Sequence, residues 1–111
     1  MAYGSKNRKR IIDLIGTLRS FQIGNMSANW YPTPLAVPIG SLPGDAILAL
    51  RALDGDTPVY VIFSYVTPIA WRLAGRRWVA PSHRYSRTTT HHQDLAAQGM
   101  ALWDHCLDAA A

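Results

Sequence analysis

Three short β-type segments in the second half of the chain constrain the fold more than any other feature. They are residues 59–64 (VYVIFS), 69–73 (IAWRL) and 77–80 (RWVA). β-Branched and aromatic residues favour strands, and Thr67-Pro68 and Ala74-Gly75-Arg76 supply turn signals between the segments. Because turns this short join antiparallel neighbours, the pattern predicts a three-stranded antiparallel meander.

Three helices are predicted around this meander. They span about residues 8–20, 43–53 and 91–108. The first helix carries a broad apolar stripe from Ile11 to Leu18 at the helical period. In the second helix, Ser41 or Asp45 is expected to provide the cap.

The start of the last helix carries a more specific signal. Thr90 through Gln93 spells T-x-x-Q, the pattern of a capping box, ahead of an apolar run that begins at Leu95. The pattern therefore predicts a helix that begins at residue 91, with Thr90 as its N-cap.

A proline-rich segment separates the first two helices. Residues 30–43, WYPTPLAVPIGSLP, contain four of the seven prolines, so an extended loop or an edge strand is expected there. Residues 1–7 are expected to form a flexible basic arm and residues 8–111 a single domain. The predicted fold is α+β: a small three-stranded antiparallel meander packed on one face by an N-terminal helix, a middle helix and a long C-terminal helix.

Composition limits the classes of protein that are possible. Eleven basic residues face seven acidic ones, nine of the basic residues are arginine, and glutamate is absent. A GC-rich genome would produce the same arginine bias without any functional cause. Cys106 is the single cysteine, which excludes an internal disulfide and fits a reducing bacterial cytoplasm. No apolar run approaches the ~20 residues that span a bilayer, so no membrane partner is expected, and no cofactor is predicted.

A run of arginines interleaved with aromatic residues favours nucleic-acid binding. The five arginines are Arg72, Arg76, Arg77, Arg84 and Arg87, and no acidic residue lies among them. The interleaved aromatic residues are Trp71, Trp78 and Tyr85. Basic grooves with aromatic platforms hold single strands without reading their sequence. Strand alternation, however, would bury Trp71 together with Ile69 and Leu73 while Arg72 points outward.

The segment YSRTTTHHQ, residues 85–93, suits an anion site at a helix start. A helix N-terminus offers unpaired N–H groups and a partial positive charge. The side chains that would contribute hydroxyls or positive charge are those of Ser86, Arg87, Thr88, Thr89, His91 and His92. The alternative is a helix start that only caps itself, with Thr90 as the cap and Thr88 and Thr89 in an extended segment before it.

Three stretches, SYVTPIAW (64–71), RW (77–78) and YSRTTTHHQ (85–93), resemble a module of small actinobacterial phage and plasmid proteins. In that group the sequence is approximately SY-x-TPIA, followed by a segment that forms a short hairpin and then by YS-x-TT-x-HQ. His91 stands where those proteins often have Arg or Lys, which removes one permanent charge. The resemblance implies a phage or mobile-element origin and a compact hairpin–helix unit, and it implies no reaction.

Enzymatic and metal-binding roles find little support. The histidines and the cysteine that might bind metal are His83, His91, His92, His105 and Cys106, and no pair has the spacing of a zinc site. Ser64 or Ser86 could be combined with a histidine and an aspartate into a triad, but no G-x-S-x-G nucleophile turn is present. The sequence therefore predicts a protein that is not an enzyme and binds no metal.

The rival interpretation is a protein-interaction module. Trp30 and Tyr31 lie in the proline-rich segment, where they have no obvious place to be buried, and such side chains often anchor interfaces. The partner would be a host protein or a second copy in a homodimer. The two hypotheses differ in geometry. Nucleic-acid binding requires Arg72, Arg76 and Arg87 on one face, whereas a protein interface requires an apolar patch centred on Trp30 and Tyr31.

Overall fold

The computed structural model describes residues 3–83 and 86–110, with side chains described up to residue 102. In chain order the elements are α1 (Ser5–Gly16), β1 (Phe21–Ile23), β2 (Met26–Tyr31), a 3-10 helix (Pro34–Ala36), α2 (Gly44–Arg51), β3 (Val59–Ser64), β4 (Thr67–Leu73), β5 (Trp78–Val79) and α3 (Arg87–Ala110). The α+β class is confirmed. The prediction of three strands is wrong, because the five strands form one antiparallel sheet in the order β1-β2-β3-β4-β5.

The two unpredicted strands, β1 and β2, form a hairpin before the proline-rich segment. Ile23 pairs with Met26, so Gly24 and Asn25 form a two-residue turn in which Gly24 has a φ of 60°. β2 then pairs with β3 over its whole length and ends at Trp30 and Tyr31. These two aromatic residues lie in a part of β2 that pairs with β3 alone, since β1 pairs only with Met26 to Ala28. Of the two predicted alternatives, an extended loop and an edge strand, the edge strand is therefore correct for them.

Helices cover both faces of the sheet, so the prediction that all three pack on one face is wrong. We call the side covered by α1 and α3 the first face; its core includes Ile11, Ile15 and Leu95. The opposite side, the second face, is covered by α2 and the 3-10 helix, and its core includes Val37 and Leu50. Because both faces are covered, every residue of β3 and β4 is buried.

A β-bulge in β4 changes which side chains share a face. Ile62 pairs with Ala70 and Phe63 pairs with Pro68, which leaves Ile69 as the extra residue. Ile69 consequently packs in the core of the first face, whereas Trp71 packs in the core of the second. The prediction that Ile69 and Trp71 share a face is therefore wrong. The bulge also explains why an interior strand tolerates Pro68.

The helices α1 and α3 approach each other closely at two glycines. A Cβ placed on Gly99 of α3 would lie 2.6 Å from the Cβ of Ile15. A Cβ on Gly16 of α1 would lie 2.7 Å from a methyl carbon of Leu102. Gly99 therefore requires glycine, because the contacting atoms are those of the Ile15 stem, whereas Gly16 meets the flexible end of Leu102. The two positions bring the first and last helices into direct contact.

Three predicted helix boundaries are corrected. α1 begins at Ser5, so Lys6, which was assigned to the arm, lies within the helix, and α1 ends at Gly16 rather than near residue 20. α2 begins after Pro43 without a side-chain cap, so neither proposed cap is used. α3 begins at Arg87, four residues before the predicted start. No helix in the described part of the chain is both long and apolar enough to cross a membrane.

Candidate nucleic-acid interface

The outer face of α1 is a basic stripe. Lys6, Lys9 or Arg10, Asp13 and Thr17 follow one another at steps of three or four residues, and all five are exposed. Residues at this spacing lie on one side of a helix. The opposite side of α1 carries the buried isoleucines of the first-face core. The amphipathic pattern therefore holds the cations outward.

Arg19, which follows α1, joins this stripe to form a shallow groove of about 380 Å³. The polar side chains that line it are Lys6, Lys9, Arg10, Asp13, Thr17 and Arg19. Four are cationic and one is acidic, so the groove carries a net positive charge. We call this surface the α1 groove. Because Lys and Arg bind phosphate oxygens, its chemistry suits an anionic polymer.

Two aromatic side chains of the sheet hold the backbone around Arg19. The indole Nε1 of Trp30 donates to the carbonyl of Leu18 at 2.9 Å, and Leu18 has a φ of 55°. The hydroxyl of Tyr60 donates to the carbonyl of Arg19 at 2.7 Å. Burial raises the pKa of Tyr60 well above its usual value, so this hydroxyl keeps its proton and remains a donor. The sheet therefore holds the turn that carries Arg19.

Tyr60→Phe tests this support. The substitution removes the donor to the Arg19 carbonyl at a residue with no exposed surface. We expect the free energy of unfolding to fall by about 1–2 kcal/mol, because a carbonyl in a partly buried position loses its partner. Urea denaturation measures the loss, and Tyr65→Phe, at a side chain that is 52% exposed, is the matched control. Equal effects of the two substitutions would contradict the assignment.

The arginines predicted on the hairpin do not form one surface. Arg72 is only 6% exposed, and its Nε donates to the carbonyl of Arg76. The prediction that Arg72 points outward is wrong, because both faces of β4 are covered. Arg76 and Arg77 are exposed in the turn between β4 and β5. Arg84 lies outside the described residues.

The aromatic residues predicted to interleave with these arginines do not form an open platform. Trp71 is 1% exposed and belongs to the second-face core. Trp78 is half-buried, with its ring edge-on to Tyr60 at a centroid distance of 5.8 Å. Tyr85 lies outside the described residues. Neither Trp71 nor Trp78 therefore offers an open ring face on which a base could stack.

The start of α3 is capped by Ser86, and the prediction of Thr90 as N-cap is wrong. The N–H of Thr89 donates to the Ser86 hydroxyl at 3.1 Å, and the N–H of Thr90 donates to the Ser86 carbonyl at 2.9 Å. Thr88, Thr89 and Thr90 all lie in the first turn of the helix, so the extended segment that was predicted as the alternative is also wrong.

A buried hydrogen-bond network ties this helix start to β3. The hydroxyl of Ser64 lies 2.6 Å from Nδ1 of His92 and 3.0 Å from Oγ1 of Thr89. Burial, followed by the neighbouring His91, lowers the pKa of His92 to about 4. We call these residues the Ser64–His92 network. Ser64 is 2% and His92 1% exposed, so this serine–histidine pair has no open side for a substrate and serves to hold α3 against the sheet.

The network decides which predicted anion-binding side chains remain available. Thr89 is 6% exposed and is occupied by Ser64 and Ser86. His91 is half-buried, with its ring stacked on that of Tyr3 at 6.3 Å. Arg87 and Ser86 are exposed, and Ser86 already serves as the cap. Among the side chains predicted to bind an anion at this helix start, Arg87 is therefore the one that is both charged and exposed.

The two halves of the sequence-predicted site lie at opposite ends of the sheet. Arg87 begins α3, which is bound to Ser64 at one end of β3, and Ser64 pairs with Thr67 at the first residue of β4. Arg76 lies in the turn beyond the last residue of β4. Seven strand residues separate the ends by about 20 Å, so the structure does not bring these arginines together.

The two residues predicted to anchor a protein interface, Trp30 and Tyr31, lie on opposite faces of the sheet. Trp30 is 39% exposed, and its ring packs on Tyr60 at 5.4 Å on the first face. Tyr31 packs edge-on against Phe63 at 6.0 Å on the second face. Neighbouring strand residues point to opposite faces, so Trp30 and Tyr31 do not form one apolar patch.

Sequence reasoning placed Lys6 in an arm and the basic residues from 8 to 10 at the start of the first helix, and it missed Arg19. The spacing of Lys6, Lys9 and Arg10 was a readable signal of one helical face. Arg19 had no comparable signal, because its position depends on donors from strands that are distant in sequence. Among the described residues, no group of three His, Cys, Asp or Glu side chains is arranged to hold a metal ion.

The fold and the groove define a small α+β protein with a basic helical face. The chain belongs to a family of unknown function, DUF8033, whose model matches residues 5–104. The match therefore runs from the first residue of α1 into α3 and includes the α1 groove. No curated protein and no solved structure matches the chain.

Proposed function

We propose that this protein binds nucleic acid through the α1 groove, by contacts to phosphate groups. The observation that carries the proposal is the concentration of Lys6, Lys9, Arg10 and Arg19 around one groove that contains a single acid, Asp13. Phosphate contacts of this kind supply affinity without reading sequence. The net charge of +4 also favours binding to a negatively charged nucleic acid.

Two further features support α1 as the contact element. Its buried side is fixed by the first-face core, so binding does not require α1 to be ordered at the same time. The turn that carries Arg19 is held by Trp30 and Tyr60, so the backbone of Arg19 is fixed beside the groove. The proposed contact surface is therefore the α1 groove and not the arginine-rich hairpin. The proposed ligand, nucleic acid, is the one that the sequence predicted.

The test is fluorescence anisotropy of labelled single- and double-stranded oligonucleotides at 50 and 200 mM salt. Four phosphate contacts predict that affinity for duplex falls about 100-fold over this range. Lys9→Glu combined with Arg10→Glu should weaken binding at least tenfold at the lower salt concentration, because two contacts become repulsive.

The matched control is Arg76→Glu combined with Arg87→Glu, which changes the net charge equally and removes one exposed arginine from each half of the sequence-predicted site. We expect less than a threefold effect. Equal losses in both double variants would show that net charge alone drives binding, and a loss confined to the control would restore the hairpin and the helix start as the site. Absence of binding at 50 mM salt would end the nucleic-acid proposal.

A non-enzymatic role and an origin in a phage or mobile element stay predictions from the sequence. Both are compatible with a small nucleic-acid-binding protein. Self-association and binding to a host protein through Trp30 and Tyr31 are less well supported, because these side chains lie on opposite faces of β2.

A further inference from the structure

Trp30 is an exposed tryptophan at one end of the α1 groove. Its side chain is 39% exposed, whereas Trp71 is 1% exposed and Trp78 is half-buried. The indole N–H of Trp30 donates to the carbonyl of Leu18, the residue directly before Arg19, at 2.9 Å. Arg19 is itself exposed and lines the groove. The Trp30 ring therefore lies against the turn that carries this cation.

Two contacts fix the Trp30 ring in the unbound protein. The first is the hydrogen bond to Leu18. The second is the cross-strand pair with Tyr60, whose ring centroid lies 5.4 Å from that of Trp30 at an interplanar angle of 58°. Tyr60 also donates to the carbonyl of Arg19, so both aromatic side chains are bonded to the same turn. A ring held in this way loses little side-chain entropy when a ligand packs on it.

The edge of the sheet is open at Trp30. β1 pairs only with Met26 to Ala28, so among the described residues no strand pairs with the outer edge of β2 at Trp30. The indole N–H is already bonded, so the exposed part of the side chain is the apolar surface of the ring. Covering this surface with a flat ring removes apolar area from water. The open edge therefore favours a planar, aromatic group as the partner of Trp30.

A basic groove that ends at an exposed tryptophan combines the two contacts that hold a single-stranded nucleic acid. The phosphates of such a strand contact cations, and its unpaired bases stack on aromatic side chains. In a duplex the faces of the bases are covered by the neighbouring base pairs, so a base must leave the stack before it contacts a side chain in this way. The groove cations suit both forms of nucleic acid, whereas Trp30 adds a contact to an unpaired base.

We propose that the ligand of the α1 groove is a single-stranded nucleic acid, one base of which stacks on Trp30. This proposal rests on the function proposed above and assigns the form of the nucleic acid. Phosphates of the strand contact Lys6, Lys9 and Arg10 along α1, which is about 18 Å long. A further phosphate contacts Arg19, and the adjoining base lies on the indole of Trp30. Stacking of this kind does not distinguish one base from another.

Three labelled probes of equal length separate base stacking from phosphate contacts. They are a thymidylate oligomer, an oligomer of deoxyribose phosphate that carries no bases, and a duplex. Fluorescence anisotropy at 50 mM salt measures the affinity of each probe. We define the base ratio as the affinity for the thymidylate oligomer divided by that for the oligomer without bases. Trp30→Leu should lower the base ratio about fivefold or more, because stacking of one base on an aromatic side chain supplies at least this much affinity.

Two control variants separate stacking from the role of Trp30 in holding the turn. Trp30→Phe keeps an aromatic ring but removes the indole N–H that binds Leu18, so its base ratio should exceed that of Trp30→Leu. Tyr60→Phe removes the other hydrogen bond to the turn and keeps Trp30, so its base ratio should stay within twofold of the parent value. A displaced turn weakens all probes together and leaves the base ratio unchanged.

Photochemical cross-linking tests the same contact in the unaltered protein. A thymidylate oligomer in which 5-bromouracil replaces thymine is irradiated in complex with the full-length chain, and the attached peptide is identified by mass spectrometry. We expect the cross-link at Trp30. Because this experiment uses the parent protein, it remains decisive if a Trp30 variant fails to fold, which thermal unfolding of each variant shows.

Three results would overturn this proposal and leave the proposed function intact. They are a base ratio that Trp30→Leu does not lower, equal base ratios for Trp30→Phe and Trp30→Leu, and cross-links that lie only at residues other than Trp30. In each case Lys9→Glu combined with Arg10→Glu would still weaken the binding of all three probes. If no probe binds, or if this double variant changes no affinity, the α1 groove is not the site and both proposals fail.

Discussion

Replacing Gly99 by alanine is expected to lower the free energy of unfolding by about 2 kcal/mol. The new Cβ would lie 2.6 Å from both Cβ and Cγ2 of Ile15 and 3.3 Å from the carbonyl oxygen of Ile12. These atoms belong to the stem of a side chain and to the backbone, so α1 itself must move. Overpacking of this kind costs about 1–3 kcal/mol.

The Gly99→Ala substitution is a decisive test because the change in the free energy of unfolding has opposite signs with and without the helix contact. Alanine is favoured over glycine in a helix by about 1 kcal/mol, so the substitution would stabilise the protein if the helices did not touch. Urea denaturation with a constant m value measures the change. Gly44→Ala is the matched control, because a Cβ on Gly44, in the first turn of α2, meets no atom within 4 Å. A stabilised Gly99→Ala protein would contradict the close contact between α1 and α3.

The second large effect is a loss of stability in acid caused by His92. Its pKa is about 4 in the folded protein, against 6.5 in the unfolded chain, because the ring is buried. Between these values the unfolded chain binds a proton that the folded protein does not bind. The stabilisation is therefore complete above pH 6.5 and is lost as the pH falls toward 4. Over the whole interval the loss is up to about 3 kcal/mol.

Urea denaturation at several pH values between 7.5 and 4 tests this effect against a variant with no titrating group at the position. His92→Gln should be less stable at pH 7.5, because the hydrogen bond to Ser64 is altered, and should lose less stability on acidification. His83→Gln, at an exposed position, should keep the parent slope. Carboxylates titrate in both backgrounds, so the difference between slopes isolates His92. Parallel curves for the parent protein and His92→Gln would contradict the assignment.

The sequence predicted the elements whose signal is local and missed those whose signal depends on distant partners. β3 and β4 were recognised because their β-branched and aromatic residues form continuous runs. The β1–β2 hairpin was missed because β1 has only three residues and because Ser27, Ala28 and Asn29 interrupt the larger apolar side chains of β2. The dipeptide Gly24-Asn25 between Ile23 and Met26 was the available turn signal.

The start of α3 was misplaced because its buried face is partly polar. Thr89 and His92 lie three residues apart on the face that contacts β3, ahead of the apolar Leu95 and Ala96. Counting only apolar positions made the helix appear to begin later. The sequence could not show that Ser64 satisfies these polar groups, because that hydrogen bond joins residues 28 positions apart.

The candidate site was misplaced for a related reason. Arginine density in the sequence was highest between residues 72 and 87, but density does not report burial. Arg72 was assigned to the surface from simple alternation, and alternation fails in a strand that is covered on both sides. The basic residues of the α1 groove are less concentrated in the sequence, because Arg19 reaches the groove only through folding.

The contact between α1 and α3 has a consequence for how the protein forms during synthesis. The sheet pairs strands in the order in which they occur along the chain, so it is able to assemble as each strand leaves the ribosome. The first face of the sheet, in contrast, is covered completely only after α3 has been synthesised, because Gly99 of α3 contacts Ile15 of α1. Until then Ile11 and Ile15 lack their final partner. A nascent chain that ends before α3 therefore exposes an apolar surface, which makes it a substrate for chaperones.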